Sequence, residues 1–573
     1  MATSFGGMTQ DPGPGREADE IAERYVVDLA AADPVTATFA GIAGHEHELP
    51  DYTPDGYAAR AELLRTARSA MESAQPSDDR ERAARSSFLE RAEVGLAQDD
   101  AHTAQSRVSV IESAAHEIRG AFDLMATETE EDWSAISSRL AGVPQALSDY
   151  RATLLHEADH GHVSARRQML EAAKQVNGWT GRSGSAGDVF AQLVAQVGEV
   201  PASLGSDLAR NAVAASAAFA EFATFLEQEL TPRGRDKEAV GREQYARDSR
   251  YFLGTEIDLD ETYAWGWEEL HRIETEMLAI SAGIAGDGAT IADAVAHIEG
   301  DPARAIEGKE QFRGWMQELA DRTLAELAGT HFDIPEPIRR IECRIAPTQD
   351  GGIYYTPPSE DFTRPGRMWW SIPEGVTTFH PWREVSTVYH EGVPGHHLQC
   401  AQAAYRSDVL NRWQRSLCWV SGHGEGWALY AERLMDELGY LEDPAVKLGM
   451  LDGQGFRAAR VVVDIGMHLE LEIPRDNPFG FHPGERWTGE LGLEFMRQHT
   501  RSDDATIVFE VNRYLGWPAQ APSYKVGERI WLAARDEVQA RQGSAFDLKA
   551  FHRAALDLGS LGLDPMREAL ARL

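Results

Sequence analysis

Nearly the whole chain is written in one texture, and that texture allows little except helix. From residue 16 onward, stretches such as "DEIAERYVVDLAAADPVTATFAGIAG" and "LARNAVAASAAFAEFATFLEQEL" are rich in Ala, Leu, Glu and Arg. Their apolar residues recur at spacings of three and four, the period of one helix face. The texture changes between 338 and 371, where "IRRIECRIAPT", "GGIYYTPPS" and "GRMWWSIP" are short, β-branched or aromatic, and divided by Gly and Pro. These predict three strands of one small sheet. Helical patterning resumes near Pro381, with Pro or Gly breaks near 394, 439, 474 to 484 and 516 to 522. The fold class expected is mainly α, with a small antiparallel β-sheet just ahead of the helix that begins near 381.

The polar break "TPRGRDKEAVGREQ" (231 to 244) marks a subdomain boundary. The organisation predicted is a disordered leader over 1–15, a helical half over 16–235, and a second half over 236–573 that holds the sheet and, between 383 and 530, the functional residues. At 573 residues the chain is long enough to enclose an active site. A net charge of -37 excludes nucleic acid and anionic membrane as expected partners, because phosphate recognition needs a basic face. No window reaches the roughly 18 apolar residues of a membrane span. Cys343, Cys400 and Cys418 are widely spaced, with no Cys-x-x-Cys pair, so a disulfide framework is not indicated. The expected location is the cytoplasm.

The densest chemistry lies in "VYHEGVPGHHLQ" (388 to 399). His-Glu-x-x-His on a helix points two imidazoles the same way to hold zinc, with the Glu as base, but four residues after His390 stands Pro394. On a regular helix His396 falls about 240° around from His390, and His397 lies about 10.5 Å further along the axis. Pro394 and Gly395 deny that regularity, and a local bulge can absorb two extra residues. After it, His396 becomes the better second ligand and His397 a neighbour. A chance meeting of a His-Glu and a His-His pair is the competing explanation.

A catalytic zinc keeps three protein ligands and one open position. In "SGHGEGWALYAERLMDELG", Glu425 stands 35 positions after His390 at the start of a strong helix, and Glu432, seven residues on, competes for the role. Glycines 424 and 426 favour Glu425, since they allow a close backbone approach; two surface carboxylates are the plainer alternative. In "RAARVVVDIGMHLELEI", Arg460, Asp464 and His468 form one polar stripe on an apolar helix. Either it is an exposed ion-pair ladder or it faces a polar cleft, with Asp464 orienting His468 and His468 or Arg460 meeting substrate. Tyr524 follows two prolines in "GWPAQAPSYKVG" and is either a core tyrosine or a donor to an oxyanion.

Taken together, "HEGVPGHHLQ", "EGWALYAE", "RAARVVVDIGMH" and "GWPAQAPSYKVG", in that order, resemble the bacterial family labelled domain of unknown function 885. That family is regarded as zinc metallopeptidases of zincin type, and its plan is similar to that of the mostly helical oligopeptidases. The resemblance implies a zinc cofactor held by His390, His396 and Glu425, with Glu391 as the base toward zinc-bound water and Tyr524 as transition-state stabiliser. It leaves His468 as a further catalytic candidate, and Arg460, Asp464, His397, Tyr354 and Tyr355 as residues around substrate or ligands. The expected partner is a short peptide, laid along "GGIYYTPPS" or "GRMWWSIP" as an added strand. The alternatives are a non-catalytic peptide-binding protein on the same scaffold and a metal-dependent hydrolase of non-peptide amides or esters.

Overall fold

A computed structural model describes residues 16–183, 187–346, 352–373 and 375–573; the leader expected over 1–15 lies outside them. The architecture is mainly helical, and the helices end where local chemistry stops them. In "AAADPVTATF" the first helix, Glu17–Ala32, ends at Asp33, whose side chain accepts from the Thr36 amide at 2.9 Å and caps the next helix, Pro34–Phe39. Pro34, which has no N–H to donate, sits in the first turn of that second helix. The Ala-rich helix Ala202–Phe225 runs into a π-turn at Leu226–Leu230, and α-helix resumes at Gly241, inside the polar break predicted over 231 to 244.

The predicted strands form at Ile341–Ile345, Ile353–Thr356 and Gly366–Trp370. The last of them lies in the middle. Ile353–Thr356 pairs with it antiparallel, as expected, while Ile341–Ile345 runs parallel on its other side. The sheet is therefore mixed: the third strand enters between the first two, which run in opposite directions, so it must be parallel to one of them. A two-residue antiparallel pair, Ile306–Glu307 with Thr378–Phe379, adjoins the start of the next helix.

One apolar core, which includes Tyr150, Phe219 and Phe222, belongs to the N-terminal half, and the largest fills the C-terminal half around the Pro444–Leu469 helix. A third crosses between them: Ile21, Val26, Met71 and Phe88 pack against Trp413, Cys418 and Val420. The N-terminal helices thus split between a core of their own and one shared with the second half. Among the described residues no helix is long and apolar enough to cross a membrane, and the three cysteines are unpaired.

Candidate metal centre

The helix Pro381–Glu391 starts with Pro381 in its first turn and carries His390 and Glu391 at its last. The two extra residues are not absorbed as a bulge. The helix stops, and after Gly392–Gly395 a new one, His396–Tyr405, begins with His396 as its first residue. The Gly395 amide reaches back to the Tyr389 carbonyl at 3.0 Å, and the His397 amide to that of Gly392 at 3.0 Å. Only glycine fits at 395, because a Cβ there would lie 1.9 Å from the His390 carbonyl oxygen. Trp427 fastens the turn by donating its indole N–H to the carbonyl of Pro394 at 2.9 Å.

The result is a compact donor set. Glu425 Oε2 lies 3.4 Å from His390 Nε2 and 3.4 Å from His396 Nε2. Bonds of about 2.0–2.1 Å at tetrahedral angles hold two zinc ligands about 3.3 Å apart, so these spacings fit one ion. Glu391 Oε2 and Glu425 Oε2 are buried without a hydrogen-bond partner among the described residues, an arrangement that suits a pair of carboxylates beside a bound ion.

Glu432 is not a rival ligand. It sits behind the set, with Oε1 2.8 Å from His390 Nδ1 and Oε2 accepting from Ser386 Oγ at 2.7 Å. Such a carboxylate fixes the ring with Nε2 turned toward Glu425. Burial alone would lower the His390 imidazole, but the carboxylates of Glu425 and Glu432 on its two sides outweigh it and hold it at about 9. Burial pushes Glu391 upward, whereas the two imidazoles beside Glu425 keep that carboxyl well below its usual range despite its burial.

Glycines set the opposite wall. The helix Ser421–Glu437 already includes the Ser-Gly stretch expected to precede it, which puts Glu425 in its second turn. There it meets the Ser523–Gln542 helix backbone to backbone: a Cβ on Gly426 would lie 2.5 Å from the Gly527 carbonyl carbon, and one on Gly527 2.1 Å from the Gly422 oxygen. This close approach carries Tyr524 in beside Glu425, whose negative charge, together with burial, raises the phenol. The Arg460 guanidinium covers the Tyr524 ring at 4.9 Å. Trp419, 51% exposed, stands on the solvent side, its ring 5.9 Å from that of His396.

Other predicted residues are placed elsewhere. His397 is held on both sides, by the Ile338 carbonyl at 2.7 Å and by the Tyr355 hydroxyl at 2.9 Å, so neither it nor Tyr355 is free to meet substrate. The Arg460, Asp464 and His468 side chains are buried and meet protein partners rather than an open cleft. Arg460 binds Glu510 at 2.7 Å and the Tyr514 hydroxyl at 2.9 Å. Asp464 accepts from Tyr245 and from the Ala519 amide at 2.6 and 2.9 Å. His468 is fully buried, donates Nε2–H to the Tyr514 carbonyl at 3.0 Å, and lies 3.9 Å from Asp464, too far for orientation by it and away from any reacting atom. Together they pin the 504–522 segment that precedes Tyr524.

Among the strands, Gly366–Trp370 has both edges paired and cannot accept a peptide. Gln317 covers Ile341–Ile345 through the Ile341 carbonyl and the Cys343 amide. That leaves the edge of Ile353–Thr356, where Tyr354 is 37% exposed. One participant was missed. Ser386 stands four residues before His390, one turn back on the same face, which is the signal that could have found it. The regular His-Glu-x-x-His spacing was also overlooked; it occurs at His156–His160. There both histidines are exposed, and Glu157 turns inward to His102 and His162.

The family described as "Bacterial protein of unknown function (DUF885)" matches residues 34–570, and the chain belongs to it. No curated protein matches the sequence. Solved structures with this fold include two of low sequence identity. One is a "putative lipoprotein" from Colwellia psychrerythraea, 21% identical, with a TM-score of 0.84 over 97% of this chain and 99% of that one. The other, from Shewanella oneidensis, is described as a "putative lipoprotein of unknown function" and is 17% identical, with a TM-score of 0.72 over 96% and 99%.

Proposed function

We propose that this member of the DUF885 family is a zinc-dependent peptidase acting on short peptides. One observation carries the reading: two imidazole Nε2 atoms stand 3.4 Å from a single carboxylate oxygen. Beside them is a second buried carboxylate, Glu391, with an unpartnered oxygen. Two nitrogens and one oxygen with solvent access on the Trp419 side make the donor set of a catalytic rather than a structural zinc. When bound, zinc supplies a Lewis acid that polarises the scissile carbonyl and brings the pKa of its water toward ~7.

The remaining chemistry belongs to the chain. Glu391 takes the proton from the attacking water and delivers it to the leaving amine. The Tyr524 hydroxyl donates to the oxygen that gains charge as the carbonyl carbon becomes tetrahedral. Glu432 and Ser386 fix the His390 ring, and Arg460 fixes the Tyr524 ring. The edge of Ile353–Thr356 supports a substrate backbone as an added strand, and Trp419 gives an apolar wall for one side chain. The burial of His390, Glu391 and His396 favours short peptides over folded proteins.

The test is metal content together with turnover. Reconstituted wild type should hold zinc at this site, and Glu391→Gln should keep it while losing hydrolysis. Should His390→Gln and His396→Gln leave the metal content unchanged, the assignment fails. The unpaired cysteines support the expected cytoplasmic location; the lipoprotein names of the structural neighbours point to an envelope, and cell fractionation decides between them.

A further inference from the structure

Glu157 lies at the last turn of the Glu130–Asp159 helix, only 3% exposed. Its Oε2 is 3.0 Å from His102 Nδ1 and 2.9 Å from His162 Nδ1. The two imidazoles stack, with centroids 4.3 Å apart and planes 27° from parallel, so the same nitrogen of each ring faces one oxygen. His102 adopts a left-handed backbone at φ 56° where it starts the short helix Thr103–Ser106. Among the described residues, two groups of three place a potential donor atom of each member within 4.8 Å of the others: this one and the centre built on His390, His396 and Glu425.

We infer that His102, Glu157 and His162 form a second divalent-metal site, for zinc or a similar borderline ion, independent of the proposed catalytic centre. Two imidazole nitrogens and a carboxylate oxygen suit such ions and not calcium or magnesium, which take oxygen ligands. Spacings of 2.9 and 3.0 Å need to open by only a few tenths of an ångström to reach the roughly 3.3 Å between tetrahedral ligands. On binding, each imidazole gives Nδ1 to the ion and carries its proton on Nε2. The side chains of His102 and His162 remain 44% and 38% exposed, which leaves a face for water. An adjoining cavity of about 180 Å³, lined by Thr103, Ser106 and His162, adds room for it.

The ion would tie the turn at His102 and the loop at His162 to the end of one long helix, a clamp within the N-terminal half. The neighbouring His156 and His160 are not part of it. They offer two nitrogens on an exposed face, where His160 Nδ1 is engaged with the His156 carbonyl at 2.8 Å.

The experiment counts zinc in the full chain after reconstitution and dialysis against metal-free buffer. Wild type should hold two ions. H102N/H162Q should hold one and keep its hydrolysis, with Asn chosen because it tolerates the left-handed backbone. H390Q/H396Q should hold one and lose hydrolysis, and H156A/H160A should hold two. One ion in wild type that disappears in H390Q/H396Q and persists in H102N/H162Q overturns the second site and spares the catalytic one. The reverse pattern keeps the second site and sinks the first. Should H102N/H162Q fail to fold, melting of H390Q/H396Q with and without zinc decides: a higher Tm with zinc supports the site, and no change overturns it.

Discussion

Replacing Glu432 by Gln would separate the ligand from the group that positions it. The amide has the same shape and can still accept from His390 Nδ1, now 2.8 Å from Oε1, while its NH2 faces Ser386 Oγ, now 2.7 Å from Oε2. What disappears is the negative charge behind the ring. Losing such a partner costs about 10- to 100-fold in metal affinity, which is about 1.4–2.7 kcal/mol. The assay is a zinc Kd by chelator competition, with circular dichroism to confirm the fold. Glu432→Ala gives the contrasting case. It leaves a buried imidazole and hydroxyl unpaired at a position only 2% exposed, so it should cost about 3–5 kcal/mol of stability besides affinity. If Glu432→Gln kept the wild-type Kd, the orienting role would be refuted. If it abolished stoichiometric zinc while Glu425→Gln retained it, the two carboxylates would have exchanged roles.

Other outcomes follow from the same geometry. Tyr524→Phe should keep zinc and lower kcat by about 10²–10³, the loss expected for one oxyanion donor, as steady-state kinetics would show. Gly426→Ala puts a Cβ 2.5–2.9 Å from backbone atoms of Gly527 and Glu528, which cannot swing aside. A cost of about 1–3 kcal/mol is expected in denaturant titration, with a loss of activity because the contact sets Glu425 against Tyr524. Burial holds His468 down at about 4, below the 6.5 of a free imidazole. The unfolded chain therefore binds more protons between those values, so stability is full above about 6.5 and lost as pH falls toward 4. This amounts to about 2 kcal/mol at pH 5. His468→Gln, whose amide can still donate to Tyr514, should show a shallower loss between pH 7.5 and pH 5.

Local chemistry was legible in the sequence wherever a residue acts on its own neighbours. The β-branched and aromatic runs announce strands, and the polar run after 231 announces the end of a long helix. His390, Glu391, His396 and Glu425 could be singled out by their spacing. What required the structure is set by partners far along the chain. Nothing near Pro394 tells a bulge from a full helix break; the choice depends on Trp427, 33 residues away, donating into the turn. Nothing beside His397 in the sequence shows that the Ile338 carbonyl and Tyr355 take both its nitrogens. The Arg460–Asp464–His468 stripe promised a cleft, because polarity on an apolar helix reads the same whether it meets water or a buried loop. The one regular His-Glu-x-x-His stretch, at 156 to 160, shows the converse: ideal spacing with the Glu facing other histidines.

The central claim is hydrolysis of peptides by Glu391 at this centre, and one comparison tests it most directly. Zinc-loaded wild type and Glu391→Gln are each incubated with a mixed peptide library, and the products are read by mass spectrometry. New cleavage products are expected from wild type, concentrated among the shorter peptides, and none from Glu391→Gln at equal zinc content. Identical product profiles from the two proteins, or an uncleaved library with fully zinc-loaded wild type, would contradict it.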